Sequence, residues 1–214
     1  MRHLISILLV VGTSHMAVAQ EEGKTTKLPQ RSRLHLIEMS DQLARYGRES
    51  GNALALVVAA NLAREAGERQ VKRLVEREGG SAVELPSQTL LEEAGRFAKG
   101  DPIVLAMVED VKAAASKGHT LGVSSSFGSV AGSGTDWYRN QPFKAGEYAE
   151  TKVDALAGGG ISLFVYDHQG NLVCKDVSVS ARQYCGWTPG AGEKFSIKIE
   201  NRGTSPVRYK LVTN

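Results

Sequence analysis

The residues able to do chemistry in this chain of 214 are few: two cysteines, three histidines beyond the first twenty positions, a serine-rich stretch and a set of aromatics near the end. A nucleophilic serine needs a positioned His and an acid to activate it. Serines are dense from Ser124 to Ser133, but no G-x-S-x-G elbow occurs, and His119 stands where two compositions meet, as a linker histidine does. Gly128-x-x-x-Gly132-x-Gly134 is not followed by Lys-Ser or Lys-Thr and opens no helix, so it does not read as a phosphate cradle. H-E-x-x-H is absent. Glu92-Glu93 and Glu109-Asp110 are adjacent pairs, and neighbours on a helix point apart, so neither makes an acid/base couple alone. A metal at Cys174 and Cys185 would need two more ligands, yet none of His35, His119 and His168 lies at ligand spacing, and there is no C-x-x-C. On these grounds no catalytic residue, metal ligand or cofactor is assigned.

Aromatic residues remain as a site. Trp137, Tyr138, Phe164, Tyr166 and Trp187 all fall in the last eighty positions. If Ile161, Leu163 and Val165 face a core, Phe164 and Tyr166 face away from it, because side chains alternate along a strand. Trp137, Tyr138, Phe164 and Tyr166 are therefore the expected ligand or partner surface, suited to a sugar ring or a protein. The competing expectation is that these rings pack against the preceding half of the chain, since large aromatics are usually buried. Trp187, between Cys185 and Pro189, reads as structural.

The elements that must hold these residues follow from periodicity. Ile161/Leu163/Val165, Phe195/Ile197/Ile199 and Val207/Tyr209/Leu211 alternate with period two, separated by Gly, Asn, Pro and Asp, and predict strands joined by turns. Asp136 to Phe143 and Tyr148 to Leu156 predict two more, the second with Ala149, Thr151, Val153 and Ala155 on one face. Val123 to Phe127 is either a first strand or a linker, and Gly128 to Gly134 reads as a loop.

The first half has helical spacing. Leu36, Met39, Leu43 and Tyr46 mark one helix, ended by Gly47. Asn52 caps a second, apolar on all sides from Ala53 to Ala60 and charged from Arg64 to Glu78, where Glu65–Arg69 and Glu68–Lys72 have i,i+4 spacing. On that half, Arg69, Lys72, Arg73 and Arg77 read as a solvated helix face rather than an anion patch, because Glu is interspersed. Thr89-x-x-Glu92 has capping-box spacing for a third helix ending near Gly100. Asp101-Pro102 opens a fourth, with Val104, Leu105, Val108, Val111 and Ala115 as its stripe and Gly118 beyond its end.

The termini and charge bound the class. Arg2-His3, an apolar run from Leu4 to Val11 and Ala17-Val18-Ala19 predict a secretory signal peptide over 1–19, too short to span a bilayer. Residues 20–33 read as a flexible leader, 34–118 as a helical domain and 119–214 as a β-sandwich. A net charge of +3, with no basic block interleaved with aromatics, argues against nucleic acid. In an exported chain, two cysteines predict a Cys174–Cys185 disulfide.

The run Tyr166-Asp167, Gly170-Asn171, Val173-Cys174, Cys185-x-Trp187-x-Pro189, F-x-I-x-I into Asn201-x-Gly203 and the final Tyr-x-Leu resembles the bacterial pre-peptidase C-terminal domain over about the last eighty residues. The resemblance implies a jelly-roll-like antiparallel sandwich in an exported protein, accessory to a secreted enzyme, with relatives that bind collagen, polysaccharide or calcium. Where many members carry an alternating acidic run, this chain reads Gly158, Gly160 and Ser162, so the carboxylates a hard cation needs are missing there, though Asp154, Asp167 and Asp176 are nearby.

The expected architecture is α+β with segregated parts, a small helical bundle followed by a β-sandwich. The expected function is non-catalytic binding or scaffolding in the periplasm or outside the cell, with a protein or glycan partner and no membrane span. Two alternatives stand beside it: a secreted hydrolase with a site between the domains, and an inhibitor or immunity-type protein acting through the helices, which an exposed apolar helical patch would favour.

Overall fold

The computed structural model describes residues 30–79, 89–115, 122–157, 159–190 and 194–214. The signal-peptide segment, the leader up to residue 29, His119 and Gly118 lie outside the described residues. Four helices come first: α1 (Gln30–Ser50), α2 (Ala53–Glu65), α3 (Leu90–Phe97) and α4 (Pro102–Ala115). Two short strands, β1 (Arg69–Gln70) and β2 (Glu76–Glu78), interrupt them. Eight strands follow: β3 (Ser124–Val130), β4 (Thr135–Pro142), β5 (Ala149–Ala157), β6 (Ile161–Tyr166), β7 (Leu172–Asp176), β8 (Arg182–Trp187), β9 (Lys194–Asn201) and β10 (Val207–Thr213).

The strands form two five-stranded sheets, ordered β1-β3-β10-β5-β8 and β2-β4-β9-β6-β7. Every pairing is antiparallel except β1 with β3. Their inner faces meet around Tyr138, Val153, Leu163, Val165, Phe195, Ile197, Ile199, Tyr209 and Leu211. Apart from Tyr138, which was expected on the outer surface, these are residues whose period-two spacing predicts a core face. The architecture is thus helices followed by a β-sandwich.

The capping signals in the sequence have their expected local effect. The Asn52 side chain accepts a hydrogen bond from Ala55 N at 3.0 Å, and Thr89 and Glu92 form a complete capping box. Asp101 Oδ1 accepts from Ile103 N at 2.9 Å, with Pro102 at the first helical position. Asp167 holds the turn before β7 by accepting from the backbone of Gln169 and Asn171, with Gly170 at φ +87.

Four expectations are corrected. First, α1 begins at Gln30, inside the expected leader, and runs past Gly47 to Ser50; Gly51 at φ +66 ends it. Its buried face is Ile37, Ser40 and Ala44 rather than Leu36, Met39, Leu43 and Tyr46, of which Met39 and Tyr46 are exposed. The reason is close packing: a Cβ at Gly47 would lie 2.8 Å from Leu56 Cδ2, so small residues let α2 approach, and Ser40 Oγ donates to Ala59 O at 2.7 Å.

Second, α2 ends at Glu65. Gly67 takes φ +70, its N–H bonds to Arg64 O and the Glu68 N–H to Ala63 O, which is the Schellman arrangement. The expected helical pairs Glu65–Arg69 and Glu68–Lys72 have no helix to sit on. Instead the chain runs extended across one side of the sandwich, adding β1 to one sheet and β2 to the other. Within this strap Arg73 bonds Ser126 Oγ, Ser124 O and Thr213 Oγ1, so it is neither a solvated helix face nor an anion patch.

Third, the Gly128–Gly134 stretch is not all loop. Gly128 to Val130 lies in β3, and Gly128 is glycine there because a Cβ would run into the Tyr209 ring opposite it. Only 131–134 turns. Fourth, the α4 stripe is narrower than expected: Val108 is buried and Val104 and Val111 are half-buried, while Leu105 and Ala115 are exposed.

Candidate functional site

The two sheets have unlike outward faces. On the first sheet, Lys152, Asp154, Lys210 and Val212 point away from the sandwich core and yet are buried, because α1 lies over this face. On the second sheet the register sets a row across all five strands: Glu76, Trp137, Lys198, Phe164 and Lys175. Residues directly opposite on one face are close enough to interact. One step along, Tyr166 on β6 faces Ser196 on β9. Serine is small, so the Tyr166 and Trp137 rings close over that position to a centroid distance of 5.5 Å, and Phe164 stands beside Tyr166 at 6.5 Å. The three rings are half-buried.

Two cations lock this cluster. The pairing of β4 with β9 shifts between Tyr138 and Gln141, and Asn140 inside that irregularity has φ +55, a left-handed conformation asparagine tolerates. Bulges of this kind re-aim side chains. Here the Arg139 guanidinium lies over the Trp137 ring at 3.7 Å from its centroid and donates through Nε to Glu76 Oε2 at 3.0 Å. Lys198 Nζ sits 5.1 Å from the Phe164 centroid and 5.7 Å from that of Trp137, and donates to Glu200 at 2.8 Å. Each cation is thus stacked on a ring and paired with a carboxylate, which orients it before any ligand arrives.

Of the expected surface residues, Trp137, Phe164 and Tyr166 come together on this face. Tyr138 does not: it is 1% exposed and points into the core. The alternation argument already implies this, since neighbours on a strand face opposite ways. Inside, Tyr138 Oη lies 2.6 Å from Tyr209 Oη, and Tyr209 donates to Asp136. Arg77 Nε approaches Asp136 Oδ1 at 3.5 Å. Burial pushes the Tyr138 phenol up to about 12, and burial also raises Asp136 against the pull of the Tyr209 hydroxyl and Arg77.

Arg139, Lys198 and Ser196 were not named by sequence reasoning. Arg139 carries one legible signal, its i+2 spacing from Trp137, which puts both on one strand face. Lys198 and Ser196 become neighbours of the rings only through cross-strand register, which no local pattern encodes.

The other expected site features are structural. Cys174 and Cys185 form a disulfide with a Cα–Cα distance of 5.8 Å, tying β7 in one sheet to β8 in the other, and this is consistent with an oxidising, extracytoplasmic compartment. Trp187 packs on Phe143 and Phe195 at centroid distances of 4.8 and 5.2 Å. Asp154 is ion-paired under α1, and Asp176 accepts from the backbone of Ser178 and Tyr184. Hydrogen bonds from Asn171 hold the exposed Asp167 carboxyl below its usual range. Among the described residues no group of three or more His, Cys, Asp or Glu could hold a metal ion. A cavity of about 170 Å³ at one end of the sandwich, lined by Arg33, Phe143, Lys144 and Tyr148 among others, is smaller than the roughly 300 Å³ at which ligand pockets begin.

By fold and surface the chain is thus a helix-covered β-sandwich with an aromatic–cationic outer face. No family model matches it, and no curated protein matches it in sequence. Among solved structures it is distantly similar to the Yersinia pseudotuberculosis-derived mitogen (12% identity, 44% of this chain and 85% of that one, TM-score 0.38). It is also distantly similar to the pre-peptidase C-terminal domain of a Bacillus anthracis collagenase (11% identity, 42% and 75%, TM-score 0.28). A sugar phosphate isomerase of the cupin superfamily from Silicibacter pomeroyi matches at 15% identity over 41% of this chain and 50% of that one, with a TM-score of 0.18.

Proposed function

We propose that this chain is an exported, non-catalytic binding module, and that the outward face of the second sheet docks a protein partner. The observation that carries the reading is the cluster of Trp137, Tyr166 and Phe164 with Arg139 and Lys198 stacked on its rings. Trp, Tyr and Arg are the residue types that dominate binding energy at protein interfaces, and a preorganised cluster loses little entropy on docking. A protein is favoured over a glycan because the Arg139 guanidinium occupies the Trp137 ring face that a pyranose would need. The sequence resemblance to the pre-peptidase C-terminal domain adds an accessory role in the periplasm or outside the cell. The paired charges between α1 and the first sheet support this over a hydrolase site at that junction.

The test uses the whole chain with a photo-crosslinking residue at Lys175, the exposed end of the same cross-strand row, presented to the envelope and secreted fractions. We expect one crosslinked protein, lost in Trp137→Ala and Tyr166→Ala. Equal crosslinking in both variants rejects the surface. Retention on a polysaccharide column that both variants abolish would instead make the partner a glycan.

A second reading has its own observation. On α4, Ile103 is 72% exposed, and Leu105 and Met107 are exposed beside it; α2 exposes Leu54 and Val58. Exposed apolar side chains of this kind favour an inhibitor-type contact through the helices. Ile103→Lys separates the two readings: it leaves the Lys175 crosslink intact under the first and removes partner binding under the second.

A further inference from the structure

The contact between α1 and the first sheet is built largely of charges, and their connectivity is unusual. Lys210 Nζ reaches Asp41 at 2.7 Å, Arg182 reaches Glu38 at 2.6 Å, and Lys152 lies 4.0 Å from Asp41. Glu38 and Asp41 are three apart on one helix and share a face. All three inter-layer pairs therefore depend on two α1 carboxylates. Each sheet cation also has a carboxylate that does not belong to α1: Lys210 has Glu68 at 2.9 Å, Lys152 has Asp154 at 2.9 Å, and Arg182 has Asp154 at 3.5 Å. Removing one partner of a buried ion pair is normally severe because it strands a charge. Here, lifting α1 strands no cation.

The rest of the junction fits separation. The apolar bridge is small, with Leu34, Ile37, Ala66, Val123 and Val212 buried and Leu36 and Ala63 at its margin, whereas each layer has its own core. Ser40 ties α1 to α2, so the helices hold to one another. At the edge of the junction two connecting segments cross at Gly67 and Gly122, so close that a Cβ on Gly122 would overlap the Gly67 backbone, and Gly67 has a positive φ. Asp41 Oδ2 is buried without a hydrogen-bond partner, its Lys152 neighbour standing 4.0 Å away, so the closed state leaves part of its polar surface unsatisfied.

We propose that the helical layer is a hinged cover on the first sheet, latched by Glu38 and Asp41, and that it opens at Gly67 and Gly122, with the return from β2 to α3 as its third link, while the sandwich stays folded. The sheet face beneath is then a conditional surface. Two lysines report on it directly: Lys152 and Lys210 are buried under α1, while Lys175 is exposed on the other sheet. Both tryptophans, Trp137 and Trp187, lie in the sandwich, so their fluorescence reports that layer alone.

The experiment is amine-reactive footprinting of the full chain across a urea series, read by mass spectrometry beside tryptophan fluorescence. Lys152 and Lys210 should become labelled at urea concentrations where fluorescence is still native, with Lys175 labelled throughout. Glu38→Gln, at the partly exposed rim, should raise labelling of both several-fold and leave the fluorescence midpoint in place; Asp41→Asn should raise it further. If Asp41→Asn does not fold, Glu38→Gln decides. Labelling of Lys152 and Lys210 that rises only as fluorescence is lost, in wild type and Glu38→Gln alike, overturns the cover.

Discussion

At the scale of the residue, the sandwich core contains a polar chain that composition does not advertise. Tyr138 and Tyr209 share a proton-donating line that ends on Asp136, which is 1% exposed. Because burial raises the Asp136 pKa above its unfolded value, the protonated form is the one folding favours. Its contribution is fully present below the unfolded pKa and is lost as pH rises through the folded one. Asp136→Asn keeps an acceptor for Tyr209 without the buried charge, and the partly exposed Arg77 can turn to water. Urea midpoints should therefore show the variant at least as stable as wild type at neutral pH, with wild type gaining on it as pH falls to about 4. A wild-type advantage that is largest at neutral pH would contradict this. Gly128→Ala should cost about 1–3 kcal/mol, the usual range for overpacking, because the new methyl meets the Tyr209 ring. The check is again the urea midpoint. In sequence Gly128 reads as loop because glycine signals turns; here it signals a close approach, and only the partner strand distinguishes the two.

At the scale of the element, boundaries followed chemistry that was local. Asn52, Thr89-x-x-Glu92 and Asp101-Pro102 were legible because a cap needs only its own first turn. Asp101→Ala should lower stability by about 1 kcal/mol, measured by urea unfolding, through the loss of two backbone hydrogen bonds. Charged pairs at i,i+4 make the strap after α2 read as helix, although Gly67 offers a stop and Val71, Arg73 and Val75 alternate inward with period two. The disulfide was legible from count and context, and its geometry is a clasp between the open-edge strands of the two sheets. Replacing both Cys174 and Cys185 by Ala should cost about 3 kcal/mol in the same assay, as chain-entropy closure of a loop this short predicts. A loss under about 0.5 kcal/mol would mean the edges are held by packing alone.

At the scale of the whole molecule, α1 is set apart from the rest of the bundle. It faces α2 with small residues and the first sheet with acids, so one helix serves two layers. That dual role explains why its apolar stripe misled: Met39 and Tyr46 have helical spacing but point to solvent. It also explains why Lys152, Asp154 and Lys210, which alternation alone would place in water, are buried. Ile37→Ala should remove part of the apolar bridge and cost about 2–5 kcal/mol in a global urea transition if the layers unfold together. If the cover opens first, the same change should act on labelling of Lys210 and leave tryptophan fluorescence nearly unmoved.

Taken alone, the order of residues determined two regimes of periodicity, most strand faces, the starts of α2, α3 and α4 and the cysteine pair, because each depends on neighbours within a turn or along one strand. It placed Phe164 and Tyr166 on an outward face for the same reason. Tertiary structure decided which strands stand side by side, and hence that Arg139, Lys198 and Ser196 surround those rings. It also decided that one sheet face is covered by α1 while the other presents the aromatic cluster. Register and layer docking are set by contacts between residues far apart in the chain, and a single sequence holds no local mark of them.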